Sequence, residues 1–123
     1  MRISSAESLI MEALWQKNPL SAEEVAAQVA AAQGWGEATV KTLLNRLLKK
    51  KAIAAEKDGR RYLYRPLVRR EAYVQSESQG LLDRLFDGRL APLVSHFSQA
   101  GRLSPEDLAE LKALIEEIDD EPR

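Results

Sequence analysis

Hydrophobic and polar positions along this chain repeat mainly with the period of an α-helix. The clearest example is the segment 37–51, whose apolar side chains recur at i, i+3, i+4, i+7 and i+8. They are Val40, Leu43, Leu44, Leu47 and Leu48. Weaker stripes of the same kind predict two earlier helices, over residues 5–17 and 22–32.

A short stretch after residue 52 changes to a β pattern. Two strands are predicted, over residues 53–57 and 61–65, around the dipeptide Asp58-Gly59, which is favoured in type I′ hairpin turns. Tyr62 and Tyr64 would point to one side of this hairpin. We expect Tyr62 to pack across the strands, whereas Tyr64 either packs or reaches out with its hydroxyl.

Helix starts are marked by a hydroxyl residue with a carboxylate three positions later. This capping pair satisfies two backbone N–H groups that the first helical turn leaves without partners. The pairs are Ser4 with Glu7, Ser21 with Glu24, and Ser104 with Asp107.

The chain after Pro66 is helical again: residues 68–79 form a polar, partly basic helix, and apolar stripes follow over residues 81–86, 90–97 and 108–118. The first of these helices either continues or bends at Gly80. The stripes are too apolar to face water, yet so short a segment rarely buries enough surface to stand alone. It either pairs with a second copy, which we expect, or folds back onto the first part. The expected contact residues are Leu81, Leu85, Phe86, Leu93, Val94, Phe97, Leu108, Leu111 and Ile115.

Composition narrows the class of protein. There is no cysteine, so disulfides and thiolate metal sites are excluded. No apolar run approaches the roughly 20 residues of a membrane span, and the N-terminus is unlike a secretory signal. We therefore expect a cytoplasmic protein without membrane insertion.

The net charge of -1 conceals an asymmetry. Residues 1–74 carry 13 Lys and Arg against 8 Asp and Glu, whereas residues 75–123 carry 5 against 11. Chance alone can divide charge unevenly, but a basic first part and an acidic second part suggest separate roles.

The polar face of the helix over residues 37–51 is suited to contact DNA. Beyond Glu37 it carries no carboxylate, and a basic hairpin follows it directly. In helix-turn-helix proteins the N-terminal residues of such a helix meet base edges in the major groove. The expected base-reading residues are Ala38, Thr39, Lys41 and Thr42. The expected backbone contacts are Asn45, Arg46, Lys49, Lys50, Arg61 and Tyr64. Arg60, at the hairpin tip, is expected to enter the minor groove.

These patterns together predict a mainly α fold with a small β-hairpin. A winged helix-turn-helix DNA-binding domain over residues 1–67 is followed by a helical dimerisation domain over residues 68–123, built from three helices. The expected partners are double-stranded operator DNA and a second copy of the chain.

Catalysis finds little support in the sequence. His96 is the only histidine and lies on a Leu-rich helix, where a lone histidine is more often a packed or surface residue than a base. No phosphate-binding loop, HExxH motif or nucleophile elbow is present. We expect no enzyme activity, no cofactor and no metal site.

Several segments of the chain resemble the penicillinase-repressor family of bacterial winged-helix regulators. The resemblance covers nearly the whole chain, and it rests on the order and spacing of several segments. They are ISSAESLIMEALW, SAEEVAAQV, TVKTLLNRLLKK, GRRYLYRPLV, LLDRLFDGRLAPLVSHF and LSPEDLAELKALIEE.

The resemblance implies a homodimeric repressor on a palindromic operator, controlling β-lactamase or related antibiotic-response genes. It further implies release through a membrane sensor-protease pathway that leads to cleavage in the dimerisation domain. Well-known members are cut at an Asn-Phe bond, and His96-Phe97 occupies the matching place as the candidate cleavage site. A copper-responsive branch of the family uses cysteine-rich sites, which this chain lacks.

Two other functions fit the same pattern less well. One is a ligand-sensing winged-helix regulator with a small-molecule pocket between the domains, although the sequence shows no convergent polar set in an apolar pocket. The other is a protein-interaction module with no nucleic-acid role. The absence of carboxylates from the polar face of the 37–51 helix beyond Glu37 argues against that function.

Overall fold

The computed structural model describes residues 2–120, apart from the side chain of Ala31. Within that range the chain is mainly helical with one small antiparallel sheet, as predicted. In chain order the elements are α1 (Ser5–Gln16), β1 (Leu20–Ser21), α2 (Ala22–Gln33), α3 (Glu37–Lys49), β2 (Ile53–Asp58), β3 (Arg61–Pro66), α4 (Arg70–Phe86), α5 (Leu90–Gln99) and α6 (Pro105–Asp120).

The chain forms two compact units, which divide between Val74 and Gln75. The first unit therefore includes the first turn of α4, beyond the boundary of the functional domains expected at residues 67 and 68. That functional boundary stays a prediction. No helix within residues 2–120 is long and apolar enough to cross a membrane.

The capping pairs act as the sequence predicts. Ser4 and Glu7 form a complete capping box at the start of α1, and Ser21 and Glu24 form another at α2. At α6 the Asp107 N–H donates to the Ser104 hydroxyl at 3.0 Å. These caps fix the first turn of each helix because they satisfy its otherwise unpaired N–H groups.

The core of the first unit lies between α1, α2, α3 and the sheet. The face of α3 is buried as its period predicts, with Leu48 at its margin only partly buried. Fully buried side chains from the other elements complete the core. They include Ile10, Met11, Leu14, Leu20, Val25 and Ile53.

The sheet has three strands in the order β1-β3-β2, all antiparallel. The sequence did not predict β1, because a two-residue strand is too short to show a period. Leu20 of β1 pairs with Tyr64 of β3, which places the Tyr64 ring in the core. Tyr62 is half exposed, and its cross-strand packing stays a prediction, whereas Tyr64 is packed in the core.

The hairpin turn differs from the type I′ turn that we predicted. Asp58 pairs with Arg61, so the two turn residues are Gly59 and Arg60, one position later than expected. Gly59 has a φ of 66°, whereas Arg60 is not among the residues with positive φ. A type I′ turn needs positive φ at both central residues, and arginine adopts that conformation at a steric cost. The type I′ prediction is therefore wrong.

The start of α4 is attached to the first unit. The Trp15 indole N–H donates to the Val68 carbonyl at 2.9 Å, and the Trp15 ring lies 5.4 Å from that of Tyr73. Arg70 forms an ion pair with Glu12 at 3.0 Å. From there α4 runs without interruption through Gly80, which decides between the two alternatives left open by the sequence.

The second unit contains the rest of α4 with α5 and α6. Among its described residues no side chain is fully buried. Leu85, Leu90 and Ile118 are each about 60% exposed, which is unusual for such large apolar groups. Within the described part of the chain, this unit has an apolar surface but no closed core.

Candidate nucleic-acid interface

The outer face of α3 carries the predicted base-reading residues. All four are exposed to solvent in the first two turns of the helix, namely Ala38, Thr39, Lys41 and Thr42. The Thr42 hydroxyl donates to the Ala38 carbonyl at 3.1 Å. Because this hydroxyl is already engaged, the methyl group is the part of Thr42 best suited to a base contact.

Lys41 does not stand alone on this face. Its Nζ lies 3.4 Å from Oε1 of Glu37, one turn earlier, and both side chains are about half exposed. An exposed pair of this kind contributes only about 0.3–0.5 kcal/mol. Lys41 can therefore exchange Glu37 for a DNA group at little cost.

Farther along the same face lie the residues expected to hold the DNA backbone. Asn45, Arg46 and Lys49 are exposed, and neither Arg46 nor Lys49 forms an ion pair with any described residue. Their charges are available to phosphates, the groups that such contacts neutralise.

Lys50 differs from its neighbour Lys49. Its Nζ lies 2.5 Å from Oε1 of Glu7, a side chain that is 1% exposed. Burial raises the pKa of Glu7, but hydrogen bonds from Lys50 and Ser4 outweigh it, so the pKa lies below its usual value. No sequence pattern predicted this partnership, because a capping pair carries no information about contacts with a residue so distant along the chain.

The hairpin places Arg60 at the exposed turn, as expected from the sequence. Arg61 is held by two carboxylates, since its Nε lies 3.5 Å from Asp58 and its Nη1 lies 4.0 Å from Glu24. Hydrogen bonds from Ser21, assisted by Arg61, keep the pKa of Glu24 below its usual value.

A cavity of about 220 Å³ lies between the hairpin, α2 and α3. Lys41, Arg60, Arg61 and Tyr64 line it together with Glu37, so the cavity brings predicted base-reading and backbone residues to one place. Arg65, for which no DNA contact was predicted, is also exposed on β3 and unpaired among the described residues. The assignments to individual DNA groups, including those of Lys50 and Tyr64, stay predictions.

The predicted dimer contacts lie on the apolar surface of the second unit. None of the nine is fully buried, and five of them are exposed: Leu81, Leu85, Phe97, Leu108 and Ile115. Side chains of α5 and α6 line an open groove of about 310 Å³. Its apolar lining consists of Leu93, Val94, Phe97, Leu103, Leu111 and Leu114.

The candidate cleavage site lies on α5. His96 and Phe97 are both exposed, and their rings meet edge to face at 5.4 Å. The His96 ring also lies 6.2 Å from that of Phe86. Within residues 2–120, no group of three or more His, Cys, Asp or Glu side chains is placed to hold a metal ion.

Comparison with known proteins gives a consistent result. The model of a family described as "Penicillinase repressor" matches residues 3–117. The penicillinase repressor of Bacillus licheniformis is 32% identical over 116 residues, covering 94% of this chain and 91% of that protein. The methicillin resistance regulatory protein MecI of Staphylococcus aureus strain N315 is 29% identical over 113 residues, covering 92% of each chain.

A solved structure resembles the first part of this chain. It is the solution structure of the monomeric form of Bacillus licheniformis BlaI in complex with the blaP half-operator. The TM-score is 0.52 at 32% sequence identity, and the match covers 59% of this chain and 89% of that one. The matched region of that protein is therefore one that was studied bound to DNA.

Proposed function

The chain belongs to the penicillinase repressor family, and from this premise we propose that it is a DNA-binding transcriptional repressor acting as a homodimer on a palindromic operator. The observation that carries the proposal is the exposed face of α3 beside the hairpin. Arg46, Lys49, Arg60 and Arg65 lie there with no carboxylate partner among the described residues. When such unpaired cations neutralise phosphates, the DNA releases the counterions condensed on it, and this release drives binding.

Within this proposal α3 is the recognition helix and the β2–β3 hairpin is the wing. Ala38, Thr39, Lys41 and Thr42 read base edges in the major groove, with Lys41 donating to a guanine. Asn45, Arg46, Lys49 and Arg61 hold the backbone, and Arg60 enters the minor groove. The likeness of this region to a Bacillus licheniformis relative solved in complex with a half-operator supports binding of DNA by the first unit.

Two copies are proposed because the described residues of the second unit form no closed core of their own. Its apolar side chains would be covered by the same surface of a second chain, in the twofold manner that most homodimers use. Such a dimer presents two recognition helices to half-sites roughly 34 Å apart, which is one turn of DNA. A palindromic operator follows from that symmetry.

The regulated genes are proposed from the relatives. Their names refer to penicillinase and to methicillin resistance, so β-lactamase or related antibiotic-response genes are the proposed targets. The protein is proposed to act in the cytoplasm. The direct test is to recover the DNA bound to the protein in cells and sequence it. A shared inverted repeat upstream of such genes is expected, and recovered fragments without any common sequence would contradict the proposal.

Release of the repressor is proposed to follow a membrane sensor-protease pathway that ends in cleavage between His96 and Phe97. Both residues are exposed, but they lie within a helix, so local unfolding of α5 must precede cleavage. Intact-mass measurement of the protein from β-lactam-treated cells tests this proposal. Fragments ending at His96 are expected, and induction with an uncut chain would contradict it.

A further inference from the structure

Glu7 carries a charge in an almost fully buried position. Its side chain is 1% exposed, and Oε1 accepts hydrogen bonds from the Ser4 N–H at 2.8 Å and from Lys50 Nζ at 2.5 Å. The second oxygen, Oε2, is buried and has no hydrogen-bond partner among the described residues. Burying a carboxylate in this way is costly, since even a good ion pair often fails to offset the lost hydration.

The capping role of Glu7 does not require this burial. Glu24 forms the same capping box at α2 with a backbone hydrogen bond of 2.9 Å, yet its side chain is 46% exposed. The structure therefore contains a matched comparison. Both carboxylates cap a helix and both meet a cation far along the chain, but Glu24 lies 4.0 Å from Arg61 at an exposed site. Glu7 is buried and accepts a hydrogen bond from Lys50, which lies 43 positions farther along the chain.

Lys50 lies at the point where α3 gives way to the wing. It is the C-terminal cap of α3, and Lys51 reverses the chain with a φ of 62°. The Ala52 N–H then donates to the Leu47 carbonyl at 3.0 Å, and the Ala52 carbonyl accepts from the Leu67 N–H at 2.8 Å. These bonds join the end of the recognition helix to the beginning and the end of the hairpin.

We propose that the Glu7–Lys50 pair is a positioning device for DNA binding: it fixes the junction of recognition helix and wing against the start of α1. This inference rests on the proposed function. The pair holds the two DNA-contacting elements in the relative orientation that the grooves require, and specific binding depends on that orientation. Glu7 and Lys50 are thus positioning residues and touch no DNA themselves.

The proposal changes the role expected for Lys50. The sequence suggested a phosphate contact. The ammonium group of Lys50 is, however, already paired with a buried carboxylate, and moving it to a phosphate would leave that carboxylate unpaired. Lys49, the adjacent residue, is exposed and unpaired within the described chain, so it provides the matched control.

The test uses the full chain with three single substitutions: Glu7→Gln, Lys50→Met and, as the control, Lys49→Met. Glutamine keeps the capping hydrogen bond of Glu7 and loses only the charge, and methionine keeps the length of lysine. Affinity is measured by fluorescence anisotropy on operator and on random DNA over a range of salt, well below each melting temperature.

For Glu7→Gln and Lys50→Met, operator affinity is expected to fall at least about fivefold, the lower end of what one base contact contributes. Random-DNA affinity and the salt slope should match those of the wild type. Lys49→Met should instead weaken binding to both DNAs and reduce the log-log salt slope by about 0.9. If Lys50→Met also reduced the log-log salt slope, Lys50 would be a phosphate contact, and this result would overturn the proposal. Operator binding unchanged in both variants, with only the melting temperature lowered, would also overturn it.

A measurement without DNA separates this proposal from the proposed function. Amide hydrogen exchange of Ala52 and Leu67 reports on the junction in the free protein. Faster exchange in Glu7→Gln is expected, and unchanged exchange would overturn the proposal. If the wild type fails to bind DNA, the proposed function fails, and the exchange result alone then decides whether the pair holds the junction.

Discussion

Lys41 Nζ lies 3.4 Å from Glu37 Oε1 on the exposed face of α3. The two residues are one helical turn apart, and both belong to the surface proposed to meet DNA. Glu37 therefore has two effects: it holds Lys41 in place before binding, and it repels phosphates. Arg61, between Asp58 and Glu24, shows the same arrangement on the wing.

Replacing Glu37 with glutamine should raise affinity for all DNA sequences. The substitution removes a negative charge from the interface, and the gain should be up to about fivefold because interactions of exposed charges amount to about 1 kcal/mol or less. Anisotropy titration at fixed salt measures the effect. Glu110→Gln, the same charge change in the second unit, should leave affinity unaltered. A loss of affinity for Glu37→Gln would contradict the account.

Lys41→Ala and Lys49→Ala should weaken binding in different ways. Lys41 is proposed to read a base, so its loss should cost about 1–3 kcal/mol against the preferred base pair and relax the preference at that position. Lys49 is proposed to contact a phosphate, so the affinity lost on its replacement should be equal on all sequences. Binding to a library of single-base operator variants measures both. Equal losses on every sequence for Lys41→Ala would contradict its role.

The helical periodicity of the sequence predicted most of the fold, and α3 shows the reason. Its apolar residues are spaced for burial on one side, and that side is indeed buried. Local chemistry also fixed the capping boxes of α1 and α2. The exposed side of α3 was equally predictable, because residues that do not pack are left for solvent or a partner.

What the sequence missed depends on contacts between distant residues. The two residues of β1 have no period, and they become a strand only because β3 lies beside them. The partnership of Lys50 with Glu7 and the burial of Tyr64 likewise arise from tertiary packing. A run of three lysines, residues 49–51, looks uniform in sequence, yet the fold gives its members different surroundings.

Trp15→Phe should destabilise the first unit by about 1–3 kcal/mol. Phenylalanine fills much of the space but leaves the Val68 carbonyl, which now accepts from the indole at 2.9 Å, without its partner. Urea unfolding followed by circular dichroism measures the change. Trp35→Phe is the control, because the Trp35 indole makes no hydrogen bond with any described residue and is also only partly buried. Equal losses in the two variants would count against the hydrogen bond.

Glu7 should make stability depend on pH on the acid side. Because its pKa in the folded chain lies below the usual 4.5, the charged form stabilises the fold at neutral pH. This contribution is lost as the pH falls below 4.5 and through the folded-state pKa. The difference in free energy of unfolding between wild type and Glu7→Gln should therefore be constant near neutrality and shrink in acid. A difference that grows in acid would show the opposite sign of the shift.

Ile115→Asp should convert the proposed dimer to a monomer. Ile115 is 57% exposed in the single chain, and a carboxylate buried at an apolar interface is strongly unfavourable. Light scattering coupled to size exclusion should give twice the 13.8 kDa chain mass for the wild type and the chain mass for the variant. Glu116→Gln, the next residue along α6, should remain dimeric. A wild-type chain that is monomeric at micromolar concentration would contradict the proposed assembly.

The most direct test of the central claim is the salt dependence of wild-type binding to the DNA upstream of its own coding region. If the unpaired cations of α3 and the wing neutralise phosphates, the logarithm of affinity should fall linearly with the logarithm of salt concentration. The slope should be about -0.9 for each phosphate contacted, with tighter binding to that DNA than to random DNA. Undetectable binding, or binding that salt does not weaken, would contradict the assignment of this surface to DNA.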